Sequence, residues 1–147
     1  MTTPKTLAIA SDHGGFELKE TLKVHLRQNY PNLHVTDMGP YHTDSVDYPD
    51  FAQKVATSIL DGRHSSGILI CGTGIGISIA ANRFKGIRAA LVYSPLTAEM
   101  SRRHNNANIL CLGGRTTSPE DALSYLDIWL TTDFEGGRHQ TRLNKLD

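Results

Sequence analysis

The chain reads as an α/β protein, a single-domain three-layer α/β/α sandwich built on a five-stranded parallel sheet. Two observations predict this. Short apolar runs alternate with longer helical patterns along the whole chain. The apolar runs are near-continuous rather than alternating with polar residues, which is the pattern of strands covered on both faces. The length agrees, since 147 residues supply one core and leave no room for a second.

Taken in order, Thr6–Ala10 reads as the first strand. Phe16–Gln28 follows as a helix whose apolar face is Phe16, Leu18, Leu22 and Leu26. His34–Met38 is a second strand, and Tyr48–Leu60 is helical after a turn-rich loop. Gly67–Cys71 is the third strand, with a helix over Ile75–Phe84. Ile87–Tyr93 is the fourth, with a helix over Thr97–His104. Asn108–Leu112 is the fifth, followed by a helix over Pro119–Leu130. Ser118 suits the N-cap of that last helix and Pro119 its first turn. The arrangement is Rossmann-like or flavodoxin-like. No repeat or linker divides it, so residues 1–147 form one domain. The segment 133–147 is too polar for a core element and carries two arginines. It is either a loose tail or a part of the site.

Composition narrows the function. A hydrophobic fraction of 39%, a charged fraction of 20% and zero formal net charge describe a soluble globular chain. They argue against a partner held by broad electrostatic attraction, whether nucleic acid or anionic membrane. No run approaches the ~20 apolar residues of a membrane span. Met1–Lys5 leads straight into the first strand without the features of a signal peptide, so a cytoplasmic location is expected. Cys71 and Cys111 each end or follow an apolar run. Buried strand thiols are a sufficient reading of both, and a disulfide scaffold is not expected.

In an open parallel sheet, ligands bind beyond the carboxyl ends of the strands. The segments that fall there are Ser11–Gly15, Gly39–Pro49, Cys71–Gly76, Tyr93–Pro95 and Gly113–Arg115. Among them Cys71-Gly72-Thr73-Gly74-Ile75-Gly76 stands out. Glycines between a strand and a helix let backbone N–H groups approach an anion. The dinucleotide pattern G-x-G-x-x-G fits only in part, because Ile77 takes the third glycine position. No Gly-Lys-Ser/Thr follows for a phosphate loop. A purely structural tight turn remains open, as does a base paired with an oxyanion hole. In the last reading the Cys71 thiolate takes a proton from carbon, and the loop N–H groups hold the enediolate oxygen. The Thr73 hydroxyl can donate to that oxygen.

The stretch Ile68–Asn82 resembles the signature of type B ribose-5-phosphate isomerases, a family shared with galactose-6-phosphate isomerase subunits. The likeness extends to Ser11–Phe16, Asp47-Tyr48-Pro49, Arg102–Asn105, Gly113–Arg115 and the run from Glu135 to Arg142. The resemblance implies an aldose-ketose isomerase of the pentose phosphate pathway, working through a cis-enediolate with no cofactor and no metal. It assigns Cys71 as the base, where other members use a glutamate at the position of Ile77. Gly72, Gly74, Ile75 and Gly76 become the anion hole, with Thr73 beside it. His104 opens the furanose ring, and imidazole suits a proton transfer near neutral pH.

By the same resemblance Asp47 orients the ring-opening group or a sugar hydroxyl, although it could equally cap the helix after it. Tyr48 and Asn105 line the sugar, Asp12 binds hydroxyls, His13 lies near the phosphate, and Arg115 follows the fifth strand on the active edge. Arg138 and Arg142, four apart, would clamp the phosphate from one helix face. Two such arginines also describe a solvated basic tail. The resemblance implies a homodimer or tetramer with sites between subunits, in which His104, Asn105 and Arg115 come from the neighbour of the chain supplying Cys71. A non-catalytic phosphate- or nucleotide-binding module of flavodoxin-like shape would use the same loop without needing a thiol. A hexose 6-phosphate is the alternative substrate, because substrate length would be gauged in the variable loop from Gly39 to Asp47.

Overall fold

The computed structural model describes residues 5–147, and the leading residues read above against a signal peptide lie outside them. Five strands, β1 (Thr6–Ser11), β2 (His34–Asp37), β3 (Ser66–Cys71), β4 (Ala89–Leu91) and β5 (Ile109–Gly113), form one parallel sheet in the order β2-β1-β3-β5-β4. The helices are α1 (Phe16–Asn29), α2 (Tyr48–Leu60), α3 (Ile75–Ala81), α4 (Pro95–Arg103), α5 (Pro119–Thr131) and α6 (Arg138–Leu143). A 3-10 turn at His13–Gly15 joins β1 to α1.

Alternation along each central strand sorts the core into two layers. Leu7, Ile9, Ile68, Ile70, Leu110 and Leu112 face α1 and α5. Ala8, Ala10, Leu69, Cys71, Ile109 and Cys111 face α2 and α3. All twelve are buried, as the apolar runs required. The small side chains lie on the α2 side of β1 and β3. There Gly67 leaves room for Val55, whose methyl would stand 2.5 Å from a Cβ at that position.

The strand order reverses direction between β1 and β3. The crevice at their carboxyl ends, where Asp12 and Cys71 stand, is therefore the place a ligand can enter.

Four elements differ from the sequence reading. The third helix stops at Ala81 rather than Phe84, because the Asn82 side chain turns to pair with β4. It donates to Ala89 O (2.9 Å) and accepts from Ala89 N (2.8 Å). β4 keeps only three residues of the apolar run Ile87–Tyr93, as an edge strand pinned by Asn82 and Asn108. α4 begins at Pro95 rather than Thr97, since Ser94 and Thr97 form a reciprocal capping box. The polar segment after Asp133 is not a loose tail. It folds back as α6, with Glu135 N donating to Arg103 O (3.0 Å).

Among the described residues one charge is fully buried. Lys19, on α1, sits at zero exposure and donates to both Asp37 oxygens (2.9 and 2.7 Å) and to Pro40 O (2.9 Å). The Phe16 and Tyr41 rings flank its ammonium. Asp37 also accepts from Lys23 (2.7 Å) and from Gly39 N (2.8 Å). Burial pushes the Asp37 carboxyl upward. The hydrogen bonds from Lys19, Lys23 and Gly39 outweigh it and hold the group below its ordinary value of 3.8.

A carboxyl depressed in this way contributes stability that is complete above its unfolded pKa of about 4. That contribution is lost as the pH falls through the depressed folded value. Removing the carboxylate strands a buried ammonium, which costs about 3–5 kcal/mol. Urea unfolding of Asp37→Asn at neutral pH should show a loss of that size. The variant's stability should also vary less than the wild type's as the pH falls below about 4.

Candidate active site

Three strand ends build the site. After β1 the chain turns at Asp12, whose N–H donates to Ile70 O (3.0 Å). Asp12 Oδ1 accepts from Gly15 N (3.1 Å), so this buried aspartate caps the turn into α1. After β5, Gly114 N donates to Cys71 O (2.8 Å) and Arg115 N to Gly72 O (2.9 Å). The three turns thus continue the ladder of the sheet beyond its strands. They can do so because side chains are missing where they touch. A Cβ on Gly114 would lie 2.5 Å from Gly14 O, and one on Gly72 would stand 3.2 Å from Arg115 Nη1.

Cys71 ends β3 inside this frame, 5% exposed, and its Sγ accepts the Gly74 N–H at 3.1 Å. Gly74 is left-handed (φ +80°), which aims that N–H back at the sulfur. Thr73 Oγ1 accepts from Ile75 N (3.2 Å) at the start of α3. The other thiol, Cys111, is fully buried one strand away. Burial pushes its pKa far up, which leaves it a structural group.

The loop from Gly39 to Asp47 closes the near side. His13 Nδ1 accepts from Val46 N (3.1 Å), which places its ring proton on Nε2. Asp47 stands at the N-cap position of α2 but makes no side-chain cap bond, so the capping role open in the sequence is not the one it plays. Tyr48 packs its ring against Gly76, where a Cβ would meet it at 2.7 Å. Asp12, His13, Asp47 and Tyr48 line a hollow of about 500 Å³.

His104 and Asn105 are not on this edge. α4 starts near the carboxyl ends of the strands and returns to their amino ends, where His104 caps it. Within one chain, roughly 15–20 Å of strand separates that edge from the one carrying Cys71. α6 lies with them, so Arg138 and Arg142 are on the far edge too. Arg115 lies across Gly72 of its own chain. It therefore stands on the Cys71 edge of its own chain, apart from His104. A cavity of about 700 Å³ also belongs to the far edge. Asn105, Arg83, Arg88 and Leu143 are among the residues lining it.

Around His104 stands a cluster whose other members the sequence reading left without a role. The His104 and His139 rings stack at 4.1 Å and 13°. Glu135 Oε1 lies 3.9 Å from His104 Nε2 and 3.4 Å from His139 Nε2, while Oε2 accepts from Arg103 Nε (2.6 Å). The i, i+4 spacing of Glu135 and His139 was the signal available. Their meeting with His104 depends on the α6 fold-back. Three potential ligand atoms within 4.8 Å would suit a metal by count. The face-to-face rings direct their lone pairs in parallel, however, and Arg103 already holds one of the two carboxylate oxygens. The geometry suits a shared proton better than a dication.

The ribose/galactose isomerase family profile matches residues 7–146. Ribose-5-phosphate isomerase B of Escherichia coli is 44% identical over 142 residues, covering 97% of this chain and 94% of the relative. A ribose 5-phosphate isomerase structure from Thermotoga maritima superposes with a TM-score of 0.93 at 53% identity, covering 97% of each chain. Ribose-5-phosphate isomerase B of Mycoplasma genitalium, solved with bound ribulose 5-phosphate, gives 0.90 at 45%, covering 96% of this chain and 93% of that one.

The frame of strand ends makes a prediction of its own. Gly114→Ala forces a methyl against the Gly14 carbonyl, and overpacking of this kind costs about 1–3 kcal/mol. Thermal unfolding should show that loss. Reactivity of Cys71 toward a thiol reagent should rise as the loop loosens.

Proposed function

The chain belongs to the ribose/galactose isomerase family, and from that premise we propose that it interconverts ribose 5-phosphate and ribulose 5-phosphate through a cis-enediolate. The observation that carries this reading is the cysteine at the β1/β3 switch point, set into a glycine loop with Arg115 across it.

His104 gives a proton to the ring oxygen while the anomeric hydroxyl gives one up to solvent water, and the furanose opens. Cys71, as thiolate, removes the C2 proton of the open aldose. The Gly72–Gly76 donors hold the enediolate oxygen, and Thr73 assists the proton's passage between O2 and O1. The proton on sulfur then returns to C1 and completes the ketose. Asp12, Asp47 and Tyr48 hold the sugar hydroxyls. Arg138 and Arg142 bind the phosphate with His13, so that binding far from the reacting carbons positions C1 and C2.

This assignment needs groups from both edges of the sheet, and one chain cannot bring its own edges together. A second copy does so in our reading. It lays its His104, Asn105, Arg138 and Arg142 over the Cys71 edge of the first. Ile75 and Ile79, half-exposed on α3 beside the catalytic loop, are the apolar surface such a partner would cover. No described helix is long and apolar enough to cross a membrane. A cytoplasmic enzyme of sugar phosphates fits the premise.

Three measurements test the proposal. Cys71→Ser should lower turnover by about 10²–10⁴-fold while substrate still binds; near-normal turnover refutes the base. Arg142→Ala should raise KM by roughly tenfold or more with little effect on an unphosphorylated sugar. Comparing ribose 5-phosphate with allose and galactose 6-phosphates decides substrate length. Faster turnover of a hexose would transfer the assignment to the six-carbon branch.

A further inference from the structure

We propose that Glu135 and His139 are positioning residues for His104, and that the three side chains work as a unit carrying a single proton, held on His104. The inference rests on the ring-opening role given to His104 above. Its ground is the arrangement on the far edge. Both imidazoles turn Nε2 toward one oxygen of Glu135, at 3.9 and 3.4 Å. Two rings stacked at 4.1 Å cannot both become cations at low cost. Burial decides between them. The His139 side chain is 6% exposed against 37% for His104, and His139 Nε2 is buried with no hydrogen-bond partner. Desolvation, with the charges of His104, Arg138 and Arg142, outweighs Glu135 and keeps His139 below the ordinary imidazole pKa. It therefore stays neutral and serves as a flat platform under the working ring.

Glu135 supplies the orientation. Its second oxygen is fixed by Arg103, which Glu99 holds in turn (2.9 Å). Burial raises the Glu135 carboxyl, but the hydrogen bond and charge of Arg103, with the charge of His104, lower it further, so it remains a carboxylate. An anion on the Nε2 side favours a proton there and leaves Nδ1 of the neutral ring as the free lone pair. The groups facing His104 and His139 are thus Glu135, Arg103, Arg138 and Arg142, and of these Glu135 alone is negative.

The substrate pair allows a clean test. Ribose 5-phosphate closes to a furanose. Ribulose 5-phosphate cannot, because its O5 is phosphorylated. Exchange of its C1 proton with D₂O therefore reports Cys71 without ring opening. For Glu135→Gln we expect ribose 5-phosphate turnover to fall about tenfold or more and its alkaline limb to move to lower pH, with C1 exchange unchanged. His139→Phe keeps the stack and should stay within about threefold of wild type, a scale far below a lost proton-transfer group. His139→Ala should lose selectively on ribose 5-phosphate.

An unshifted limb and normal turnover in Glu135→Gln would overturn the proposal, as would equal losses on both readouts. A His139→Phe variant as impaired as His104→Ala would show that His139 itself transfers the proton. If His104→Ala turns over ribose 5-phosphate normally, it is the ring-opening assignment that fails.

Discussion

The ends of β1, β3 and β5 approach one another more closely than side chains permit, and the site follows from that. Gly14, Gly72 and Gly114 are the points of contact. The hydrogen bonds Asp12 N to Ile70 O, Gly114 N to Cys71 O and Arg115 N to Gly72 O bind the three turns into one surface. Any Cβ at Gly114 would push the turns apart by its contact with Gly14 O. Cys71 stands between these hydrogen-bonded turns, and its sulfur accepts the Gly74 N–H. Preorganisation of this kind is what lets backbone dipoles stabilise a developing charge without rearranging.

A second device holds the loop that closes the hollow. Lys19 and Asp37 are an expensive pair to bury, yet Lys19 ties both Asp37 and Pro40 O to α1, and Asp37 in turn holds Gly39 N. That loop runs on to Val46, whose N–H meets His13, and to Asp47 and Tyr48. The ion pair therefore helps to set the near wall of the hollow from a distance.

The remaining groups of the proposed mechanism lie at the other end of the sheet. A helix that follows a parallel strand must return to the amino-terminal edge, so α4 carries His104 away from Cys71 and α6 keeps both arginines with it. On the proposed mechanism the fold presents two halves of a site, one for the carbon acid and one for the ring oxygen and phosphate, and two copies would bring them together over the exposed α3 isoleucines.

The elements and their order were legible in the amino-acid pattern, because continuous apolar runs and helical periodicity are local properties. Cys71 and its glycine loop were legible for the same reason: a thiol, three glycines and a strand-to-helix junction are all adjacent in sequence. The ends of α3 and α4 were not, since Asn82 reaches across to β4 and the Ser94–Thr97 box outweighs the apolar pattern. Nor was the placement of Arg115 against its own Gly72, which depends on β3 and β5 being neighbours. Glu135 and His139 stood in the sequence without a role until α6 folded back and set them against His104. The residues that can do the chemistry were written in the chain. Which of them share an edge was decided by parallel strands and returning helices, because only strand direction and strand order fix where each loop ends.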